Sequence, residues 1–500
     1  MNLYEQFEGV FRAAGHAPAL MSASAGEADV RYADLLVAAD KAAGALAVAG
    51  VATGDRVLVQ VDKTPTAVVL YLACLKAGAV YTPINTAYTA PEVAYFLDDA
   101  EPRLFVAGRA DRVPADCAVP VETLTGSGGG TWPRRVAEAQ PSGEVARRAD
   151  DDLAALVYTS GTTGRSKGAM LTHANLRTNG ETLCAYWGWR EDDVLLHALP
   201  IFHVHGLFVA LHCAFLKGTP VLFLPTFDAD TVLRALTRCT VLMGVPTFYT
   251  RLLARADFDA EVCRNMRLFI SGSAPLNEQT FASFEARTGM RILERYGMSE
   301  TLMNTSNPLH GERIAGTVGF SLPGIETRIA NEEGKPVAAG QVGGIEVRGP
   351  NVFKGYWRMP DKTAEEFRDD GYFMTGDLGT MDEAGRVAIV GRSKDLVISG
   401  GYNVYPKEVE ALLDDIPGVV ESAVVGVPHA DFGEGVVAVL AVSGEGVTLA
   451  QVDRHLAGRL ARYKQPKQVV CVDELPRNAM GKVQKATLRE RFRALLSDSG

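Results

Sequence analysis

Cysteine is scarce, with seven in a chain of 500 residues (Cys74, Cys117, Cys184, Cys213, Cys239, Cys263 and Cys471) and no CxxC pair among them. That scatter excludes a disulfide framework and a zinc site, and it fits a reducing compartment. Positive charge is short as well: 50 Lys and Arg face 60 Asp and Glu, for a net charge of −10. Nothing in that balance offsets repulsion from a phosphate backbone, so no nucleic-acid partner is expected. The sequence has no evident 20–50-residue repeat. Its first eight residues, Met1-Asn2-Leu3-Tyr4-Glu5-Gln6-Phe7-Glu8, carry acids where an export signal carries bases, and the expectation is a cytoplasmic protein. Residues 194–216 contain no Lys, Arg, Asp or Glu and are long enough to span a bilayer. They include His197, Pro200, His203, His205, Gly206 and His212, which reads as buried protein interior rather than membrane.

What is present is a globular composition, 47% hydrophobic and 22% charged, enough for roughly two to four domain-sized cores. Helical periodicity over residues 32–48 and 65–77 alternates with strand-like runs at 56–61 and 79–83, the pattern of βαβ units on a parallel sheet. Further apolar strands are predicted at 153–157, 221–224, 241–245 and 268–271. From residue 316 to 390 short alternating segments broken by Gly and Asp predict a small β subdomain. A fresh α/β pattern after residue 395 predicts a separate C-terminal domain, with helices at 406–414 and 449–460 around a strand at 422–427. The predicted organisation is α/β, with domains at 1–392 and 396–500 joined by a hinge at 393–395.

The densest chemical signal is Tyr158-Thr159-Ser160-Gly161-Thr162-Thr163-Gly164-Arg165-Ser166-Lys167-Gly168. Glycines let backbone N–H groups approach an anion, Thr159, Ser160, Thr162 and Thr163 add hydroxyls, and Lys167 adds charge. A triphosphate is the expected occupant. The spacing does not match the GxxxxGK[ST] loop of P-loop NTPases.

Five further segments accompany this loop: Ser271-Gly272-Ser273-Ala274-Pro275-Leu276, Glu294-Arg295-Tyr296-Gly297-Met298-Ser299-Glu300, Tyr372-Phe373-Met374-Thr375-Gly376-Asp377, Gly391-Arg392-Ser393-Lys394-Asp395 and Pro476-Arg477-Asn478-Ala479-Met480-Gly481-Lys482. In that order the chain resembles the acyl-adenylate-forming enzymes, from its first helix to about residue 485. The resemblance implies a large N-terminal domain of stacked α/β subdomains plus a small β subdomain, and a small mobile α+β C-terminal domain. It implies ATP, Mg²⁺ and coenzyme A as cofactor and co-substrates. Lys482 becomes the adenylation lysine, Glu300 the Mg²⁺ ligand and His203 a gate at the acyl pocket. Gly161, Gly164 and Lys167 would join the loop hydroxyls on the phosphates. Gly272, Ser273, Ala274 and Pro275 would line an adenine slot, with Glu294, Tyr296, Gly297, Met298 and Ser299 along the same nucleotide. Asp377 and Arg392 would hold the ribose, Lys394 would be the hinge, and Gly400, Gly401 and Tyr402 would line a pantetheine tunnel. Family resemblance also suggests a lysine acetyltransferase and deacetylase acting on Lys482.

The choice of acid rests on Arg295. A buried arginine beside the acyl pocket demands an opposite charge, and a second carboxylate on the substrate would supply it. With His205 in Phe202-His203-Val204-His205-Gly206, and Arg251 as a second candidate contact, the chain resembles malonate–CoA ligases in particular. Malonate, ATP and CoA are then the expected small-molecule partners, methylmalonate being a possible further acid. The alternatives are a CoA ligase for a monocarboxylate or aryl acid, in which Arg295 pairs internally, a stand-alone enzyme that loads a carrier protein, or a nucleotide-binding sensor.

Overall fold

A computed structural model describes residues 1–23, 28–159, 166–429, 431–444, 446–478 and 481–496. The chain forms two compact units, Met1–Ala315 with Gly319–Glu326 and Val347–Gly371, and Gly316–Val318 with Thr327–Glu346 and Tyr372–Gly500. This division does not fall at residue 392. Its physical basis lies in main-chain bonds of the β subdomain, where Val318 N donates to Val387 O (2.9 Å) and Gly340 N to Met381 O (2.8 Å).

In the first unit the helices Tyr32–Val48 and Pro65–Ala77 have the predicted bounds. The second starts cleanly because the Thr64 side chain accepts from Ala67 N and Pro65 fits the first turn; Gly78 at φ +69° ends it. Residues 67–76 of this helix are all buried, so its lack of an amphipathic pattern reflects packing on every side. Lys76 is tolerated there by pairing with Asp40 at 3.2 Å.

Two sheets organise this unit among the described residues. The smaller has the order Val121–Thr123, Leu104–Ala107, Arg56–Gln60, Val80–Pro83, Leu153–Thr159, Lys167–Thr172, parallel except for the last pair. The larger runs Phe320–Ser321, Leu302–Ser306, Leu293–Met298, Leu268–Ser271, Val241–Gly244, Leu195–His197, Val221–Phe223, Pro18–Met21, Val30–Arg31. Its six inner strands are parallel and its edges antiparallel. The charge-free run proves to be interior: the strand Leu195–His197 lies within this sheet, followed by a π-helix His205–Leu211 and the helix His212–Lys217, with residues 204–215 all buried. Among the described residues no helix is long and apolar enough to cross a membrane.

A four-stranded sheet of Glu326–Ala330, Gly343–Arg348, Phe373–Met381 and Val387–Arg392 lies largely in the second unit. A five-stranded sheet there centres on the long hairpin Val419–His429/Gly433–Val442. Alternation along that hairpin builds two cores. Val424, Val436, Ala438 and Leu440 meet Val409, Leu413, Val452 and Leu456 on one face, while Ala423, Val425, Val437 and Val439 meet Leu475 and Leu488 on the other. The helix expected to reach Leu460 ends at Leu456, and Gly458 then turns the chain at φ +73°.

Candidate active site

Parallel sheets deliver their functional loops at the carboxyl ends of the strands. In the larger sheet those ends are in register, with Met243 beside His197, Gly244 beside Ser271 and Ser271 beside Glu294. The chain therefore carries His203 and His205, Gly272-Ser273-Ala274-Pro275, and Arg295 through Glu300 away from one edge. Residues about 100 apart in sequence converge because their strands are neighbours.

Arg295 is 2% exposed, and its Nε and Nη2 are buried with no hydrogen-bond partner. It forms no ion pair among the described residues. Burial pulls its pKa down to about 10, opposed by Tyr249 and Glu294. Gly272 makes the space it occupies, since a Cβ there would lie 2.4 Å from the guanidinium carbon. His205 is 1% exposed; its Nδ1 lies 3.2 Å from Ser273 Oγ, and its Nε2 is buried without a partner. Burial, then Arg295, His203 and His197, hold this imidazole well below the ordinary histidine pKa. Ser271 Oγ is likewise buried and unpartnered. Ser273 is held at φ +69°, a conformation that costs a non-glycine residue about 1 kcal/mol or more. Buried polar atoms left open together, with a cation among them that forms no ion pair among the described residues, fit an anionic ligand.

The partly buried His203 receives His205 N on its Nδ1 at 3.2 Å. Arg251 is different: on the helix Pro246–Leu253 the side chains of Phe248, Tyr249 and Leu252 are buried, and Arg251 is exposed on the other side. Glu294 accepts from Leu276 N at 3.1 Å, which fastens the Gly272–Leu276 segment to the neighbouring strand. Tyr296 is 7% exposed. Gly297 follows at a bulge, where a Cβ would fall 1.8 Å from Leu302 O.

At the phosphate-loop end, Thr159 pairs with Lys167 across an antiparallel hairpin. Ser160, Gly161, Thr162, Thr163 and Gly164 lie outside the described residues. Lys167 is thus the first residue of a strand rather than a loop residue. Its Nζ lies 3.1 Å from Glu366 Oε1 and 4.4 Å from the centre of the Tyr356 ring. The Tyr356 hydroxyl lies 2.8 Å from Glu366 Oε2 and 3.1 Å from Glu300 Oε1. Lys167 and Glu300, distant in sequence, are linked through two residues that no motif singled out. The buried Glu300 carboxylate offers the hard oxygen that Mg²⁺ prefers. Among the described residues no group of three or more His, Cys, Asp or Glu forms a cage, and a magnesium ion held by one carboxylate and substrate phosphates needs none.

The second unit holds the remaining expected residues. Asp377, 4% exposed, pairs with Arg392 Nε at 2.9 Å across adjacent strands. The 3₁₀ turn Ser393–Asp395 follows directly. Lys394 is exposed, yet partial desolvation lowers its pKa to about 8, with Arg392 and Lys482 adding repulsion. Lys482 is exposed, in a turn where its N donates to Asn478 Oδ1 (3.0 Å) and its O accepts from Asn478 N (2.9 Å). Gly400 and Gly401, at φ +60° and +82°, form the tight turn between the strands Val397–Ser399 and Tyr402–Val404. The exposed Tyr402 ring packs 4.8 Å from Tyr463.

Comparison with known proteins gives the family. The AMP-binding enzyme family matches residues 7–357, and the AMP-binding enzyme C-terminal domain matches residues 408–482. A malonate–CoA ligase of Arabidopsis thaliana is 40% identical over 372 residues, 68% of this chain and 61% of that protein; the chain thus spans about three fifths of that relative's length. The mitochondrial malonate–CoA ligase ACSF3 of Mus musculus is 36% identical over 467 residues, 85% of this chain and 79% of that protein. The ATP-bound crystal structure of MatB from Rhodopseudomonas palustris superposes with a TM-score of 0.96 at 52% identity, covering 99% of this chain and 100% of MatB.

Proposed function

Because the chain belongs to the AMP-binding enzyme family, we propose that it ligates malonate to coenzyme A in two steps. Malonate and ATP give malonyl-AMP and pyrophosphate; the CoA thiolate then displaces AMP to give malonyl-CoA. The observation that carries the choice of acid is the buried, unpaired guanidinium of Arg295. A monocarboxylate would leave that charge without a partner, whereas the second carboxylate of malonate can take its two open nitrogens as a fork. Similarity to malonate–CoA ligases over most of the chain supports the same reading. His205 would donate from its open Nε2 to the same carboxylate, whereas Arg251, exposed on the outer side of its helix, takes no part in holding it. Methylmalonate fits this scheme, since one methyl changes affinity by only about 1–3 kcal/mol.

The other roles follow from charge. Thr159, Lys167 and the intervening glycines would clamp the triphosphate, and Mg²⁺ on Glu300 would neutralise phosphate charge. The Asp377 carboxylate would accept the ribose hydroxyls with Arg392 as its partner, and Lys482 would stabilise charge on the attacking carboxylate and α-phosphate. Rotation of residues 396–500 about Lys394 would exchange the adenylating arrangement for one in which Gly400, Gly401 and Tyr402 flank the pantetheine arm. Acetylation of Lys482 by a protein acetyltransferase would remove the charge and silence the first step. A cytoplasmic setting agrees with seven unbridged cysteines.

Arg295→Leu tests the substrate. Malonate activity should fall by roughly 2–5 kcal/mol in kcat/KM, with butyrate losing less or gaining. An unchanged malonate-to-butyrate preference in a folded variant would refute the assignment.

A further inference from the structure

Lys63 leaves the smaller sheet just after the strand Arg56–Gln60 and reaches the carboxyl edge of the larger one. Its Nζ lies 2.7 Å from His197 Nδ1 and 2.9 Å from His197 O, and 4.4 Å from the centre of the Phe223 ring. It forms no ion pair among the described residues. His197 is 1% exposed, and its Nε2 lies 2.8 Å from Gly206 O.

A carbonyl oxygen can only accept, so His197 Nε2 must carry a proton. Nδ1 then accepts from Lys63, whether the amine is charged or neutral. The result is a chain of fixed polarity, Lys63 N–H to Nδ1 and Nε2–H to O=C of Gly206. Gly206 lies in the first turn of the π-helix His205–Leu211, directly after His205. There is no slack at that point, since a Cβ on Gly206 would meet Pro200 O at 2.1 Å. π-Helical turns are rare and occur frequently at functional sites, and here the first turn has an anchor from a neighbouring strand. His205 in turn touches Ser273 and feels the charge of Arg295. Burial holds both imidazoles neutral, consistent with a single tautomer at each.

We propose that Lys63 is a positioning residue of the acyl pocket, fixing His197 as the Nε2–H tautomer that anchors Gly206 and thereby aims His205 beside Arg295. The inference rests on the reading that His205 and Arg295 face the second carboxylate of the acid. Lys63 touches no substrate in this scheme; it selects the diacid through His197.

The test combines kinetics with nitrogen NMR of ¹⁵N-histidine-labelled protein, His197 being identified by its loss in His197→Gln. Lys63→Met should raise KM for malonate about tenfold or more, with kcat within about threefold and KM for ATP within about twofold. In the His197→Gln background the same substitution should cost under about twofold, because the intermediary is gone. The His197 Nδ1 resonance should be that of a hydrogen-bonded acceptor in the wild type and shift to the unbonded position in Lys63→Met. Unchanged KM for malonate, equal losses in both backgrounds, or a protonated Nδ1 in the wild type would each overturn the proposal. The wild-type spectrum decides even where Lys63→Met fails to fold. If Arg295→Leu leaves acid preference unchanged while the Nδ1 shift still follows Lys63, it is the substrate reading that fails and not the coupling.

Discussion

At the scale of single residues, the roles proposed for charged side chains can be tested one at a time. Lys482 is exposed, its main chain held in a turn by Asn478, and the proposed benefit of its charge falls on the transition state. Lys482→Ala should cut malonyl-AMP formation by orders of magnitude while thiolation of supplied malonyl-AMP survives, and quantitative acetylation should act alike. Half-reaction assays check this; adenylation within about threefold of wild type, under ~1 kcal/mol, would contradict the role. Arg295 stands out in the sequence as a cation directly before Tyr296 in a family motif, and the structure adds that it is buried. Tyr356, Glu366 and Lys63 do not stand out. Each matters through a contact with a residue more than 50 positions away, except Glu366 with Tyr356, and no local pattern records such a contact.

Elements were legible where local rules and tertiary packing agree. The helices Tyr32–Val48 and Pro65–Ala77 have the expected bounds, the second because Thr64-Pro65 and Gly78 mark its ends whatever it packs against. The π-helix His205–Leu211 was not foreseen; an unbroken apolar run gives no period, and support from His197 comes from another strand. The strand expected at 153–157 ahead of the phosphate loop is present as Leu153–Thr159, and its antiparallel pairing with Lys167–Thr172 has no counterpart in the sequence reading. The 3₁₀ turn Ser393–Asp395 carries the hinge proposal. Its closing bonds run from Leu396 N to Arg392 O and Ser393 O, so proline at position 394 removes none of them. Lys394→Pro should therefore fold normally, adenylate nearly as wild type, and transfer to CoA slowly. Single-turnover measurement of each step distinguishes this from general damage, in which both would fall together.

Across the whole molecule, four buried histidines of the first unit set the response to acid. Burial lowers His173 to about 4 and His212 to about 3, and holds His197 and His205 well below the ordinary value. Near pH 6.5 and below the unfolded chain binds protons that the folded one refuses. Stability is complete above about pH 6.5 and is lost as pH falls from there towards 4, by up to about 1.4 kcal/mol per pH unit for each histidine. Denaturant titrations at pH 7, 6 and 5 should show a falling free energy, and a flat profile would contradict the buried neutral state. The pairing of Leu20 with Val221 in the larger sheet has a consequence for synthesis. One edge of the first strand can pair at once with Val30–Arg31, but the other cannot meet its neighbour until some 200 further residues have left the ribosome, roughly 10–40 s at ordinary translation rates. Until then that edge of the apolar segment Pro18–Met21 is open, so a holding chaperone would be needed most early, and moving the N-terminus by circular permutation should shorten that dependence.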